Sequence, residues 1–249
     1  MINIRNAREI EKLRKSAQIV VEAIQLAESR IRPGVRTKEL DREIADYIYS
    51  KGARPAFKGF NGYPASSCIS IDEEVVHGLP SERQLKEGEI VSIDIGVELN
   101  GYYGDAAKTL KIGDITAEKA RLVKVTRDSL QMAIEQAHEG NRLSDIGHAV
   151  QKHVETAGYS VVRDLVGHGI GTQMHEAPQI PNYGPPGKGP RLKVGMVLAI
   201  EPMVNMGSYE VYTKKDKWTV VTKDGLPSAH FEHDIVITRS GAEILTAGL

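Results

Sequence analysis

Apolar residues recur at steps of three or four near the start of the chain. Ile10, Leu13, Ala17, Val20, Ile24, Ala27 and Ile31 fall on one stripe, which predicts an amphipathic helix. Pro33-Gly34 ends it. A second helix is expected after Thr37, with Leu40, Ile44, Tyr47 and Ile48 on one face and Lys51-Gly52 closing it. From about Ser66 to Leu110 the pattern becomes strand-like, with turns expected at Pro80, Gly88, Asn100-Gly101 and Gly104. The same order then begins again. Leu122, Val125, Leu130, Ile134 and Ala137 predict a third helix ended by Gly140-Asn141. Leu143, Ile146, Val150 and Val154 predict a fourth, ended near Gly158. Strand-like segments run from Ser160 to the C-terminus.

Local identity supports a duplication. Residues 85–94 read Leu-Lys-Glu-Gly-Glu-Ile-Val-Ser-Ile-Asp, and residues 192–201 read Leu-Lys-Val-Gly-Met-Val-Leu-Ala-Ile-Glu. Leu, Lys, Gly and Ile match at an offset of 107 positions (192 minus 85), and an acid closes each copy. Val75-Val76-His77-Gly78-Leu79 pairs with Val166-Gly167-His168-Gly169-Ile170 at an offset of 91 (166 minus 75), so the intervening loops differ in length. Chance similarity between two amphipathic strands is the alternative. The expectation is one α+β domain spanning residues 1–249, with helix–helix–strand halves of about 1–112 and 113–249. Related strands would then meet at the centre, each half bringing a histidine and a carboxylate. Residues 181–190, rich in Pro and Gly, are expected as a long surface loop rather than a linker.

Composition narrows the class. The chain has 249 residues, 41% hydrophobic and 26% charged, which is ordinary for a globular protein and excludes a disordered or collagen-like chain. The formal net charge of −1 gives no bulk electrostatic reason to bind nucleic acid. Cys68 is the single cysteine, so neither an intrachain disulfide nor a cysteine-built zinc site is available. No apolar run is long enough for a bilayer span, and the first residues lack the apolar core of a signal peptide. A cytoplasmic location away from membranes is therefore expected.

Five side chains stand out as potential metal ligands. Asp94 ends the run Ile90-Val91-Ser92-Ile93, and Asp105 follows shortly after; a hairpin between them would bring both carboxylates together. Glu201 ends the matching run of the second copy. Glu232 precedes the strand Ile235-Val236-Ile237, and His168 sits between two glycines. A carboxylate at the end of an apolar strand bears a desolvation cost unless a cation or proton compensates it. Four carboxylates and an imidazole suit two divalent ions, because carboxylates can bridge a metal pair. Each residue alone has a plainer explanation: a strand-end Asp as turn former or ion-pair partner, His168 as a hydrogen-bonded or surface residue, Glu232 in a solvated charge cluster.

Taken together, the motifs are recognisable. They are Val75-Val76-His77-Gly78-Leu79-Pro80, Ser92-Ile93-Asp94-Ile95-Gly96, Gly101-Tyr102-Tyr103-Gly104-Asp105, and Gly167-His168-Gly169-Ile170-Gly171. Three more follow: Met174-His175-Glu176-Ala177-Pro178, Ala199-Ile200-Glu201-Pro202-Met203, and His230-Phe231-Glu232-His233. In this order and spacing they resemble the bacterial type I methionine aminopeptidases over nearly the whole chain. The resemblance implies the pita-bread fold around a central antiparallel sheet, and two divalent ions (Co, Mn, Fe or Zn). It implies Asp94, Asp105, His168, Glu201 and Glu232 as ligands, with Asp105 and Glu232 bridging. It also implies removal of the initiator methionine from new proteins whose second residue is small.

The expected chemistry is attack on the carbonyl after the N-terminal methionine by a hydroxide bridging the two ions. One ion would hold the free α-amine and the other polarise the carbonyl oxygen. His77, His175 and Glu201 are the expected catalytic residues: His175 on the oxyanion or scissile amide, His77 on the following segment, Glu201 also moving the proton. By family position the methionine slot involves Phe57, Phe60, Tyr63, Cys68, Met174 and Trp218, suiting a thioether. Core packing is the alternative, for Phe60 above all. Some relatives carry an aromatic residue where Met174 stands and a small one where Phe57 stands, and Asp234 replaces a common Thr. Cys68 is expected as a wall residue, because no base partner is evident.

Three competitors are weighed. A proline-directed peptidase of the same fold usually carries an extra N-terminal domain, for which the first helix, starting near residue 7, leaves no room. A non-catalytic pita-bread protein would lose ligands that all stand here. A type II enzyme would need an insertion between His175 and Glu201. The expected partners are peptides and nascent chains, with no membrane. A transient ribosome contact through Lys214-Lys215-Asp216-Lys217 competes with a plain solvated loop there. The family suggests a monomer.

Overall fold

The computed structural model describes residues 2–249. The periodic stripes become four helices. α1 spans Ala7–Arg30 and α2 spans Thr37–Ser50. α3 spans Ala117–Gln136 and α4 spans Leu143–Thr156. Asn6 caps α1 by accepting from the Arg8 and Glu9 N–H groups, while the Glu9 carboxylate accepts from the Asn6 N–H. Thr116 caps α3 through the Lys119 N–H. No helix among the described residues is long and apolar enough to cross a membrane.

Each half has its own helix pair, sheet and core. In the first half, antiparallel strands Arg54–Pro55, Cys68–Ile71, Ile90–Leu99 and Tyr102–Lys111 form one sheet. Ile24, Leu40, Ile44 and Ile48 of α1 and α2 pack on Ile93, Ile95 and Val97 of that sheet. The long hairpin turns at Asn100-Gly101, both at positive φ, as a two-residue turn that matches strand twist requires. In the second half, Gly241–Ile244, His233–Thr238, Val197–Ile200, Gly167–Gly169 and Glu176–Ile180 form a five-stranded antiparallel sheet in that spatial order. Ile146, Val150 and Val154 of α4 share a core with Leu198, Ile200 and Ile235.

The halves meet along Tyr102–Lys111. The Glu232 N–H donates to the Ala107 carbonyl at 2.9 Å. The Thr109 hydroxyl donates to the His230 carbonyl and accepts from the His230 N–H, each at 2.8 Å. The Asp105 N–H donates to the Asp234 carboxylate at 2.8 Å. A smaller sheet crosses the halves as well, with Val220–Thr222 between Glu74–Val76 and Val211–Thr213.

Gly104 departs from the turn expected of it. It lies inside the strand Tyr102–Lys111, where a Cβ would come within 2.7 Å of the Ala17 backbone nitrogen. The glycine lets helix α1 pack backbone to backbone on the sheet, and gives no bend.

Candidate metal centre

The five candidate ligands converge where the two sheets meet. On the long hairpin Asp94 faces Ala107, and Asp105 lies two residues before Ala107. Paired residues and their i±2 neighbours share a sheet face, so both carboxylates point the same way. From the other half, His168 pairs with Ala199, and Glu201 follows the strand Val197–Ile200. Glu232 precedes His233, which pairs with Ile200. Ligand atoms of Asp105, His168 and Glu232 all lie within 4.8 Å of one another. His168 Nε2 is 3.6 Å from Glu201 Oε1 and 3.9 Å from Asp105 Oδ2.

The electrostatics of this cluster demand positive charge. Among the described residues no Lys or Arg lines the cavity. Burial pushes Asp105, Glu201 and Glu232 well above the usual carboxylate range, and mutual repulsion adds to it. Burial raises Asp94 to about 7, against a hydrogen bond with Asp105 that lowers it. Asp94 Oδ1, Asp105 Oδ1 and Glu232 Oε1 are buried without a hydrogen-bond partner. His168 Nδ1 lies 3.0 Å from the Gly169 carbonyl. A carbonyl only accepts, so Nδ1 carries the proton and Nε2 turns its lone pair toward the acids. Burial, then His175, depresses this imidazole to about 4, so it stands neutral at neutral pH. Orphaned carboxylate oxygens facing an imidazole lone pair are a donor set for divalent cations, oxygen-rich with one nitrogen.

A cavity of about 630 Å³ opens above the cluster. Phe57, Phe60, Tyr63, Cys68, His77, His175 and Trp218 line it together with the five ligand candidates. The Trp218 ring meets Tyr63 edge-on at 5.2 Å, and Phe60 meets His175 at 5.1 Å. Asp216 accepts from the Trp218 and Thr219 N–H groups at 2.9 Å, holding the turn that presents Trp218. In the same turn Lys214 reaches Glu74 at 2.7 Å. The Tyr63 hydroxyl is spent on the Ser67 and Gly78 carbonyls at 3.1 Å, leaving the ring to the cavity. Burial drives the Cys68 thiol upward, with Asp94 adding to it, so no thiolate forms there. His77 holds φ 57°, a left-handed backbone that costs a non-glycine residue of order 1 kcal/mol. Met174 is buried, and its terminal methyl and the Phe57 ring both lie against the Gly96 backbone, beside the cavity.

His230 joins the site with no role read from its sequence, and Asp234, the extra acid noted there, joins it as well. His230 Nε2 sits 3.8 Å from Glu201 Oε2, and burial depresses the ring to about 3. It ends the strand Ser228–His230, two residues before Glu232, in the break ahead of the strand His233–Thr238. Asp234 is buried beside the candidate ligands, with one oxygen on the Asp105 N–H and the other unpartnered.

The model of metallopeptidase family M24 matches residues 11–239. A methionine aminopeptidase of Clostridium acetobutylicum is 54% identical over 247 residues, covering 99% of both chains. A crystal structure of methionine aminopeptidase from Thermotoga maritima superposes with a TM-score of 0.97 at 47% identity, covering 99% of both chains. Prolidase from Pyrococcus furiosus follows at a TM-score of 0.80 and 26% identity, with 99% of this chain covering 66% of that one. The architecture common to them is the pita-bread fold. With similarity running end to end and a family model matched over most of its length, the chain belongs to metallopeptidase family M24, among the methionine aminopeptidases.

Proposed function

We propose that this protein removes the N-terminal methionine from peptides and nascent chains when the second residue is small. In this reading the whole chain works as one catalytic unit in the cytoplasm. Two divalent ions would be held by Asp94, Asp105, His168, Glu201 and Glu232. The observation that supports it most is the cluster of unpartnered carboxylate oxygens around the His168 lone pair, at the floor of an aromatic-walled cavity.

When bound, the ions supply Lewis acidity, which makes water a nucleophile near neutral pH and polarises the scissile carbonyl. The chain's own groups do the rest. Phe57, Tyr63, Cys68 and Trp218 offer ring and sulfur contacts to a thioether side chain. Burial keeps His175 neutral near pH 7, so one ring nitrogen can donate to the scissile amide or the developing oxyanion. His77, also kept neutral by burial and by His175, stands on the same wall to hold the following residue. Glu201 lies within reach of His168 and His230 and is suited to carry the proton to the leaving amine.

The test is methionine release from Met-Ala-Ser and Met-Lys-Ser, with an Xaa-Pro peptide as control, after chelation and after adding back Mn or Co. Metal-dependent release from Met-Ala-Ser alone is expected. Cleavage of the Xaa-Pro peptide instead would move the chain to the proline-directed branch. No release with any metal from folded protein would overturn the catalytic reading.

A further inference from the structure

The segment ahead of α1 lies across the second half of the fold and reaches the cavity wall. The Arg5 N–H donates to the Gly195 carbonyl at 2.8 Å, tying the segment down. The Arg5 guanidinium donates to both oxygens of Glu176 at 2.6 Å and to Glu9 at 3.2 Å. Asn3 donates to Glu176 as well, at 2.6 Å. The Arg5 and Glu176 side chains are 8% and 5% exposed, so the pair is nearly dry.

Glu176 in turn organises the loop before it. One oxygen accepts from the Thr172 N–H at 2.8 Å, the Gln173 N–H at 3.1 Å and the Thr172 hydroxyl at 3.2 Å. The Gly171 carbonyl accepts from the Tyr103 N–H at 2.9 Å, and a Cβ on Gly171 would overlap the Arg5 guanidinium. Residues 171–176 are therefore wrapped around a single carboxylate that Arg5 grips. His175 is the next residue back from that carboxylate. Its ring stands edge-on to Phe60 at 5.1 Å and to His168 at 4.3 Å, over the ligand cluster.

We propose that Asn3–Asn6 is a strap and Arg5 a positioning residue, which through Glu176 fixes the loop that aims His175 at the scissile peptide. This rests on the aminopeptidase reading and on the role given there to His175. Arg5 spans two acids, Nη2 on both oxygens of Glu176 and Nη1 on Glu9. A lysine supplies the charge to Glu176 as a single point and without the second planar donor, and removing the charge altogether leaves Glu176 to its neutral donors in a nearly dry site. A displacement of about 1 Å in a catalytic group costs on the order of 100-fold in rate.

The experiment measures kcat and KM for Met-Ala-Ser, with bound-metal content and Tm, for wild type, Arg5→Ala, Arg5→Lys, His175→Ala and the Arg5→Ala/His175→Ala pair. Arg5→Ala is expected to lower kcat by roughly 10- to 100-fold with KM within about twofold. Metal content should stay at the wild-type level, and Arg5→Lys should fall between. In the His175→Ala background the Arg5→Ala loss should shrink to less than about twofold, because the residue being aimed is gone. An equal loss in both backgrounds would make Arg5 a general stabiliser and overturn the proposal. So would wild-type kcat in folded Arg5→Ala. If Arg5→Ala does not fold, Arg5→Lys and its pair with His175→Ala decide by the same criterion. An inactive wild type would remove the aminopeptidase reading and this proposal with it, whereas an active wild type with indifferent Arg5 variants removes the proposal alone.

Discussion

Stripping divalent ions from this protein should destabilise it, and the loss should depend on pH with a definite sign. Asp94, Asp105, Glu201 and Glu232 line a cavity that holds no Lys or Arg among its described lining residues, and three of their oxygens have no hydrogen-bond partner. Binding to the folded state alone stabilises by RT ln(1 + [M]/Kd), about 2.7 kcal/mol at a hundredfold excess over Kd. For a chain of 249 residues, each kcal/mol moves Tm by roughly 2–4 °C, so the loaded protein should melt roughly 5–10 °C higher. Asp94 is held at about 7 in the fold, against an ordinary 3.8. The unfolded chain thus releases that proton at lower pH than the folded one. The contribution is fully present below about pH 4 and is lost as pH rises toward 7, so the chelated protein should be less stable at pH 8 than at pH 6. Metal competes with the same protons, so its apparent affinity should rise with pH, up to about tenfold per pH unit for each proton displaced. Differential scanning fluorimetry with EDTA and with Mn at both pH values reads this directly. Coincident melting of the two forms, or a larger metal gain at pH 6, would refute the argument.

Other substitutions separate the parts of the site. His175→Ala should lower kcat strongly while metal content, measured by atomic absorption, stays unchanged; loss of the metal would contradict its assignment as a substrate contact. Asp234→Asn keeps an acceptor for the Asp105 N–H and removes one buried acid, so Mn affinity by calorimetry should weaken on the order of 10- to 100-fold with little change in the Tm of the chelated protein. Gly104→Val should destabilise by more than about 2 kcal/mol in urea unfolding, because its side chain meets the α1 backbone at Ala17. Cys68 should resist iodoacetamide in native protein and react after unfolding, since burial keeps it a thiol.

Much of the fold is written locally. The α1 stripe Leu13, Ala17, Val20, Ile24 and Ala27 is buried as its period requires, and Asn6 and Glu9 form the cap that starts the helix. Asn100-Gly101 marks a hairpin turn by its own dihedral preferences. These signals lie within a few residues of one another, where backbone conformation and side-chain period act directly. Gly104 shows the limit. As a residue type it reads as a turn, and only the approach of α1, nearly ninety positions earlier in the chain (104 minus 17), explains a glycine in mid-strand.

The site divides the same way. The sequence by itself offered the donor types, since an acid ending an apolar strand bears a desolvation cost unless a cation or proton compensates it, and the family resemblance named the candidate set. It also carried the repeat that puts such residues in both halves. Only the tertiary structure decided that Asp105, His168 and Glu232 come within 4.8 Å, because that depends on how separate sheets pack together, between residues more than sixty positions apart. It alone brought His230 and Asp234 to the candidate ligands and laid Arg5 against Glu176. Spacing along a chain fixes which face a side chain takes within its own strand or helix. Which faces then meet is settled by how the sheets and helices pack, and in this protein the chemistry lies at that meeting.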